Sequence, residues 1–233
     1  MKRFLAMASA SLALVLPSAM AQGDTTAQPT PPVSEAETAA AQSLMNALEG
    51  FYVAILQNPA GGMVSLKMKD GSDALLAFLS PEAVGAARTA AQDPELQVGI
   101  IPLADLMANW DGVVVFESGA SEIQEAAKLS DQEQPFGAPV YTVISDGHEV
   151  QMQSESGLVT PILTGHADAA ELASALKQGD LKDTNIEIAP LEISDVLRLI
   201  GTPGEKPAYR LYTHPKMVAL MAAAESAQSA PTE

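Results

Sequence analysis

The chain has 233 residues, 47% of them hydrophobic and 18% charged, with no cysteine and a formal net charge of −17. Disulfides and thiol redox chemistry are excluded, and the acidic balance argues against nucleic acid and anionic lipid surfaces, whose recognition draws on Lys and Arg. The apolar fraction suffices for one sizeable core or two small ones.

Residues 1–21 read as a secretory signal. Lys2 and Arg3 precede an apolar stretch from Phe4 to Leu16, and Pro17 then leads into an Ala19-Met20-Ala21 cleavage pattern. The apolar run is shorter than the ~20 residues that span a bilayer. Cleavage after Ala21 places the protein in the periplasm and leaves no transmembrane segment. Residues 22–33, rich in Pro and Thr, read as a disordered leader.

Ser34 opens a helix with a capping box, because Glu37 stands three residues on. Ala36, Ala40, Leu44, Leu48, Phe51 and Ile55 continue at helical spacing as a core-facing stripe, which predicts one long amphipathic helix over 34–57. Gly and Pro at 59–62 end it.

Two copies of one pattern follow, over 61–129 and 137–224, joined by a linker at 130–136. Val64-Ser65 and Asp70-Gly71 precede Val140-Tyr141 and Asp146-Gly147 by 76 residues. Phe78-Leu79-Ser80 answers to Ile162-Leu163-Thr164, and Ile100-Ile101-Pro102-Leu103 to Ile188-Ala189-Pro190-Leu191. In the first copy, strands are expected at Met63–Met68, Ala74–Leu79, a buried Val98–Ile101 and Val113–Phe116. Its helices start at Ser80-Pro81, Pro102 and Ser118. In the second, strands fall at Val140–Ile144, Glu149–Gln153, Val159–Leu163, Ile186–Ala189 and Ala208–Tyr212. Helical spacing marks Ala169-Leu172-Ala173-Leu176 and Ile193-Val196-Leu197-Ile200, and Pro215 opens a closing helix. The expected fold is α/β (α+β), two pseudo-symmetric repeats of β-β-α-β-α-β-α packed together behind the first helix. Residues 225–233 read as a disordered tail.

These segments resemble a known family. "GAPVYTV", "TPILTGHADAAELASAL", "IEIAPLEISDVLRLI" and "AYRLYTHPKMVALM" are similar to the pattern of the twenty-two-kilodalton subunit of the chloroplast inner-envelope import translocon, the Tic complex, and its bacterial relatives. Asp168-Ala169 matches the family's Asp-Ala helix start, and Tyr209-Arg210-Leu211-Tyr212 its aromatic-Arg-aromatic strand. His166-Ala167 stands where an acid usually precedes that Asp, and Leu211 replaces an aromatic. The resemblance covers most of residues 61–224. It implies a pair of α/β halves with hydrophobic pockets and no catalytic residues, and a chaperone-like hold on translocating proteins. For the bacterial relatives it implies a periplasmic role in outer-membrane biogenesis.

Chemistry-bearing motifs are sparse. The three histidines, His148, His166 and His214, form no ligand pair by spacing, and His166 and Asp168 diverge at i, i+2. Asp70 and Asp146 read as hairpin-turn residues. There is no G-x-S-x-G elbow and no phosphate loop. No catalytic, cofactor or metal residue is therefore assigned. The expected function is non-enzymatic binding of unfolded or translocating envelope proteins, with Phe78, Phe116, Tyr141, Tyr209 and Tyr212 as candidate protein-binding positions and adaptable methionines beside them. Two rival readings are a periplasmic hydrolase or metal-dependent enzyme using His148, His166 or His214, and an adaptor binding one envelope protein through the Ser34 helix.

Overall fold

The computed structural model describes residues 34–130, 135–155, 157–179 and 184–228, the side chains of 224–228 excepted. The stretches expected to be a signal sequence and leader, most of the expected linker and the last residues of the expected tail lie outside the described residues. Helix α1 (Glu35–Ala47) starts as its capping box requires: Ser34 Oγ accepts from the Glu37 amide, and Glu37 Oε2 accepts from the Ser34 amide. The helix stops well short of residue 57. Gly50 takes a left-handed φ of 72°, and Tyr52–Gln57 is a strand, β1, buried along most of its length. A continuous apolar run satisfies helical spacing and a two-sided buried strand equally well, so Phe51 and Ile55 fitted the wrong element.

The first sheet holds β1, β2 (Ser65–Lys67), β3 (Asp73–Phe78), β4 (Gln97–Pro102) and β5 (Val113–Glu117). Its order is β4-β1-β3-β5, with β2 also pairing β3. Helices α2 (Pro81–Ala91), α3 (Leu103–Asn109) and α4 (Ala120–Leu129) alternate with the later strands. Ser80 caps α2 as expected, its hydroxyl accepting from the Ala83 amide with Pro81 at the first helical position.

The second sheet holds β6 (Pro139–Ser145), β7 (His148–Glu149), β8 (Met152–Ser154), β9 (Gly157–Leu163), β10 (Ile186–Glu192) and β11 (Tyr209–Tyr212). Its order is β10-β6-β9-β11, with β7 on β6 and β8 on β9. Helices α5 (His166–Gln178), α6 (Ile193–Gly201) and α7 (Pro215–Gln228) complete it. Helix α7 extends past Ala224 into the stretch expected to fray. The single strand predicted over Glu149–Gln153 is two short ones, broken at Val150-Gln151.

Both sheets carry one parallel pair, β3 with β5 and β9 with β11, and are otherwise antiparallel. Where strand gives way to helix the two share a hydrogen bond. The Leu103 amide donates to the Phe51 carbonyl at 2.9 Å, and the Ile193 amide to the Ala138 carbonyl at 3.2 Å. By topology β6 therefore answers to β1, not to the strand at residue 64. The 76-residue register matched two unrelated hairpins, since Asp146-Gly147 joins β6 to β7 and Asp70-Gly71 joins β2 to β3.

A single core lies between the sheets. Phe51, Val53, Ile55, Leu75, Leu79, Leu103 and Leu106 from the first half meet Val140, Ile162, Ile193, Leu197 and Leu211 from the second. The outer faces are covered by an exchange. Helix α4, the last of the first half, lies on the second sheet, where Ala126 joins Tyr141, Phe136 and Ala169. Helix α7, the last of the second half, lies on the first sheet, where Met217 joins Ala54, Phe78 and Val84. Thr213 anchors that crossing, its hydroxyl accepting from the Tyr52 amide at 2.8 Å and donating to the Gly50 carbonyl at 3.1 Å.

Candidate functional site

The exchange brings the N-termini of α2, α4, α5 and α7 into one polar cluster. Glu82, in the first turn of α2, accepts from the Ser121 hydroxyl at 2.6 Å and the Ser121 amide at 3.4 Å, so it caps α4. Glu122, in the first turn of α4, accepts from the His166 amide at 2.8 Å and so caps α5. Each carboxylate sits at the positive end of another helix and satisfies amides that have no partner within it. Two carboxylates close over Gly119 and Gly165, the residues preceding α4 and α5, and would have to shift if either glycine carried a side chain. A methyl group on Gly119 would lie 2.7 Å from Glu82 Oε2, and one on Gly165 would lie 2.5 Å from Asp168 Oδ2.

His166 and His214, far apart in sequence, both belong to this cluster. The His166 ring meets Tyr141 edge-on at 5.5 Å. His214 is buried, and its Nδ1 accepts from the Lys216 amide at 3.2 Å, which leaves Nε2 to carry the proton of the neutral ring. Burial holds His214 below the usual histidine range, against the opposing pull of Glu122 and Asp168. Burial also pushes Asp168 up, with Glu122 and Glu171 adding to it and His214 opposing. The Ser121 hydroxyl is the main cause of the lowered Glu82. Tyr141 Oη donates to the Glu122 carbonyl at 2.7 Å. Two carboxylates are thus occupied with backbone amides, and the cluster pins the exchanged helices. Among the described residues no three His, Asp or Glu side chains are arranged to share a metal ion.

His148 lies elsewhere, on a shallow open depression of about 540 Å³ lined by Gly147, His148, Glu149, Gln151, Thr160 and Pro207. Beside it Tyr209 Oη donates to Glu149 at 3.0 Å, and burial with that carboxylate pushes Tyr209 up to about 12. The rival reading from three histidines therefore finds His166 and His214 in a capping cluster and His148 apart from both.

Of the five aromatic candidates, Phe78, Phe116 and Tyr141 are core residues, each under a tenth exposed. Packing withdraws them from any binding surface. Tyr209 is half-buried, and Tyr212 is exposed on β11. The apolar stripe of α1 is also largely spent, since the helix packs against α6 and β11. The open apolar side chains are others. Leu66 sits on β2 opposite Ala74, and Met152 on β8 opposite Val159, so each projects from the outer face of its hairpin arm. Met68, Val98, Leu158, Val218 and Leu220 are exposed as well. Met68 and Met152 have the adaptable thioethers suited to an open surface; the others carry no local signal separating them from core. The strand at Val98–Ile101, expected to be buried, is a sheet edge instead.

No protein-family model matches the chain, and no curated protein matches its sequence. Solved structures do. Tic22 of Anabaena, a protein-transport protein, matches with a TM-score of 0.59 at 18% identity, covering 82% of this chain and 98% of that one. The chain has the Tic22 fold. Tic22 from Plasmodium falciparum matches with a TM-score of 0.56 at 12% identity, over 78% of this chain and 96% of the other. The resemblance read from the strand and helix motifs is thus matched by a likeness of fold over about four-fifths of the chain. Among the described residues no helix is long and apolar enough to cross a membrane.

Proposed function

We propose that the protein is an exported, non-enzymatic holder of unfolded or translocating envelope proteins, acting in the periplasm in protein translocation or outer-membrane biogenesis. The observation that carries this reading is the Tic22-like fold along nearly the full length of a protein-transport protein. Physical support comes from the surface. Leu66 and Met152 stand open on two hairpin arms while the inner core is closed, so apolar contact is offered outside and not through it. The acidic exterior keeps a loaded complex soluble.

The test is the aggregation of a urea-denatured outer-membrane protein on dilution, followed by light scattering with and without a stoichiometric amount of this protein. Suppression is expected, weakened in a Leu66→Ser, Met152→Ser double variant. No suppression with any of several clients discards the proposal.

A further inference from the structure

The two sheets end on topologically matching edge strands, β4 and β10, which differ in where a proline interrupts the outward-facing register: at the last residue of β4, Pro102, but inside β10, at Pro190. On β4 the Leu103–Phe51 hydrogen bond and the register Val53↔Ile101, Ile55↔Gly99 fix the alternation. Ile101, Gly99 and Gln97 turn their backbone groups toward β1, while Val98 and Ile100 turn both N–H and C=O away from the sheet. Among the described residues no donor or acceptor meets those outward groups. On β10 the Ile193–Ala138 hydrogen bond sets the same alternation, with Ile188 and Pro190 facing outward. Pro190 thus stands in the place of Ile100. It removes the outward N–H, and its ring obstructs an incoming strand. Glu187 adds a charge to that edge, and α4 and α5 both pack against β10. Two other edges are attended as well. Helix α1 packs on β11, and the Trp110 indole donates to the first carbonyl of β5 at 3.2 Å. Natural sheets rarely leave a flat, uncharged edge open, because it templates pairing with another chain. From Gln97 to Pro102 there is no charged residue.

We infer that β4 is a strand-addition site, taking an extended segment of another protein that is apolar at alternate positions and flanked by Lys or Arg. The Val98 and Ile100 side chains share the outer face with Leu56 and Ala54, their partners on β1, so alternate residues of the added strand extend an apolar surface. Exposed Asp93 and Glu95 precede the strand and exposed Asp105 follows it, which selects basic flanks. The net charge of −17 disfavours a second copy as the occupant. This inference rests on the proposed client-holding role and supplies its main-chain contact.

The probe is a fluorescein-labelled peptide with an alternating Val-Thr core between Lys pairs, measured by anisotropy against a twin with Glu pairs. Wild type is expected to bind the basic peptide at least tenfold more tightly than the acidic one. Ile100→Pro, which copies the guard of β10, and Val98→Lys, at an exposed position, are each expected to weaken binding at least tenfold with unchanged circular dichroism. If Ile100→Pro fails to fold, Val98→Lys decides. Because the chain has no cysteine, Gln97→Cys gives a unique handle. Disulfide trapping by peptides with Cys at successive positions should alternate in yield, while Glu187→Cys on β10 should trap none. Absent peptide binding, unchanged binding by Val98→Lys, or a dimer in sedimentation velocity that Val98→Lys abolishes would overturn the inference. Aggregation suppression by wild type is scored separately, so a protein that holds clients but ignores the peptide refutes this site alone.

Discussion

Leu103 and Ile193 start the helices that follow the two edge strands. Both are fully buried in the core shared by the sheets, and both amides donate to the opposing strand. Truncating either to Ala leaves that hydrogen bond intact and removes three carbons. The lost transfer energy is roughly 2 kcal/mol at ~0.8 per methylene, and the cavity term brings the total to about 2–5 kcal/mol. For a chain of this size that lowers Tm by roughly 5–20 °C. Because one core and two exchanged helices tie the halves, Leu103→Ala and Ile193→Ala should each shift a single calorimetric transition of the whole protein. Scanning calorimetry with urea titrations by tryptophan fluorescence and circular dichroism checks this. A thermogram that splits into two transitions, with the mutated half melting first, would refute the shared core.

Two further outcomes are expected. Tyr141→Phe deletes the hydroxyl that donates to the Glu122 carbonyl at 2.7 Å and should lower stability by about 1 kcal/mol, read from urea midpoints, with α4 amides exchanging faster. Glu117 is held above the usual carboxylate range, chiefly by burial and then by the Glu192 charge. Its favourable contribution is thus full below the ordinary value of 4.5 and is lost as pH rises through the raised one, so Glu117→Gln should match wild type near pH 4 and exceed its Tm increasingly toward pH 7; a gap independent of pH would contradict that assignment.

Local signals were legible wherever one residue type answers one backbone demand. Ser80-Pro81 caps α2 as its chemistry requires, and Asp146-Gly147 turns with φ of 49° and 82° as such a dipeptide does. The same locality explains the errors. An Asp-Gly turn says that a hairpin is present and nothing about which, so two such turns aligned hairpins with different places in their sheets. Tyr52–Gln57 lost its identity because burial on both faces erases the period-two pattern. The capping cluster was invisible for another reason. His166 and His214 lie near each other because β9 and β11 run parallel in register to Leu163 and Tyr212, and Glu82 and Glu122 reach them only because α4 and α7 change sheets; an apolar helix face records that it is covered but not by which sheet.

That exchange constrains how the proposed client-holding could operate. Opening the space between the sheets would expose Leu103, Ile193 and their neighbours together and would pull α4 and α7 from the opposite sheets, a disruption close to global unfolding. Binding that leaves the fold intact must therefore use what already faces solvent, the hairpin arms and the sheet edges. Of the two matching edges, Pro190 closes one to an added strand, and the free N–H groups of Val98 and Ile100 leave the other available. Near-identical topology with opposite edge chemistry is what a protein needs if it is to accept an extended chain on one side without polymerising through both.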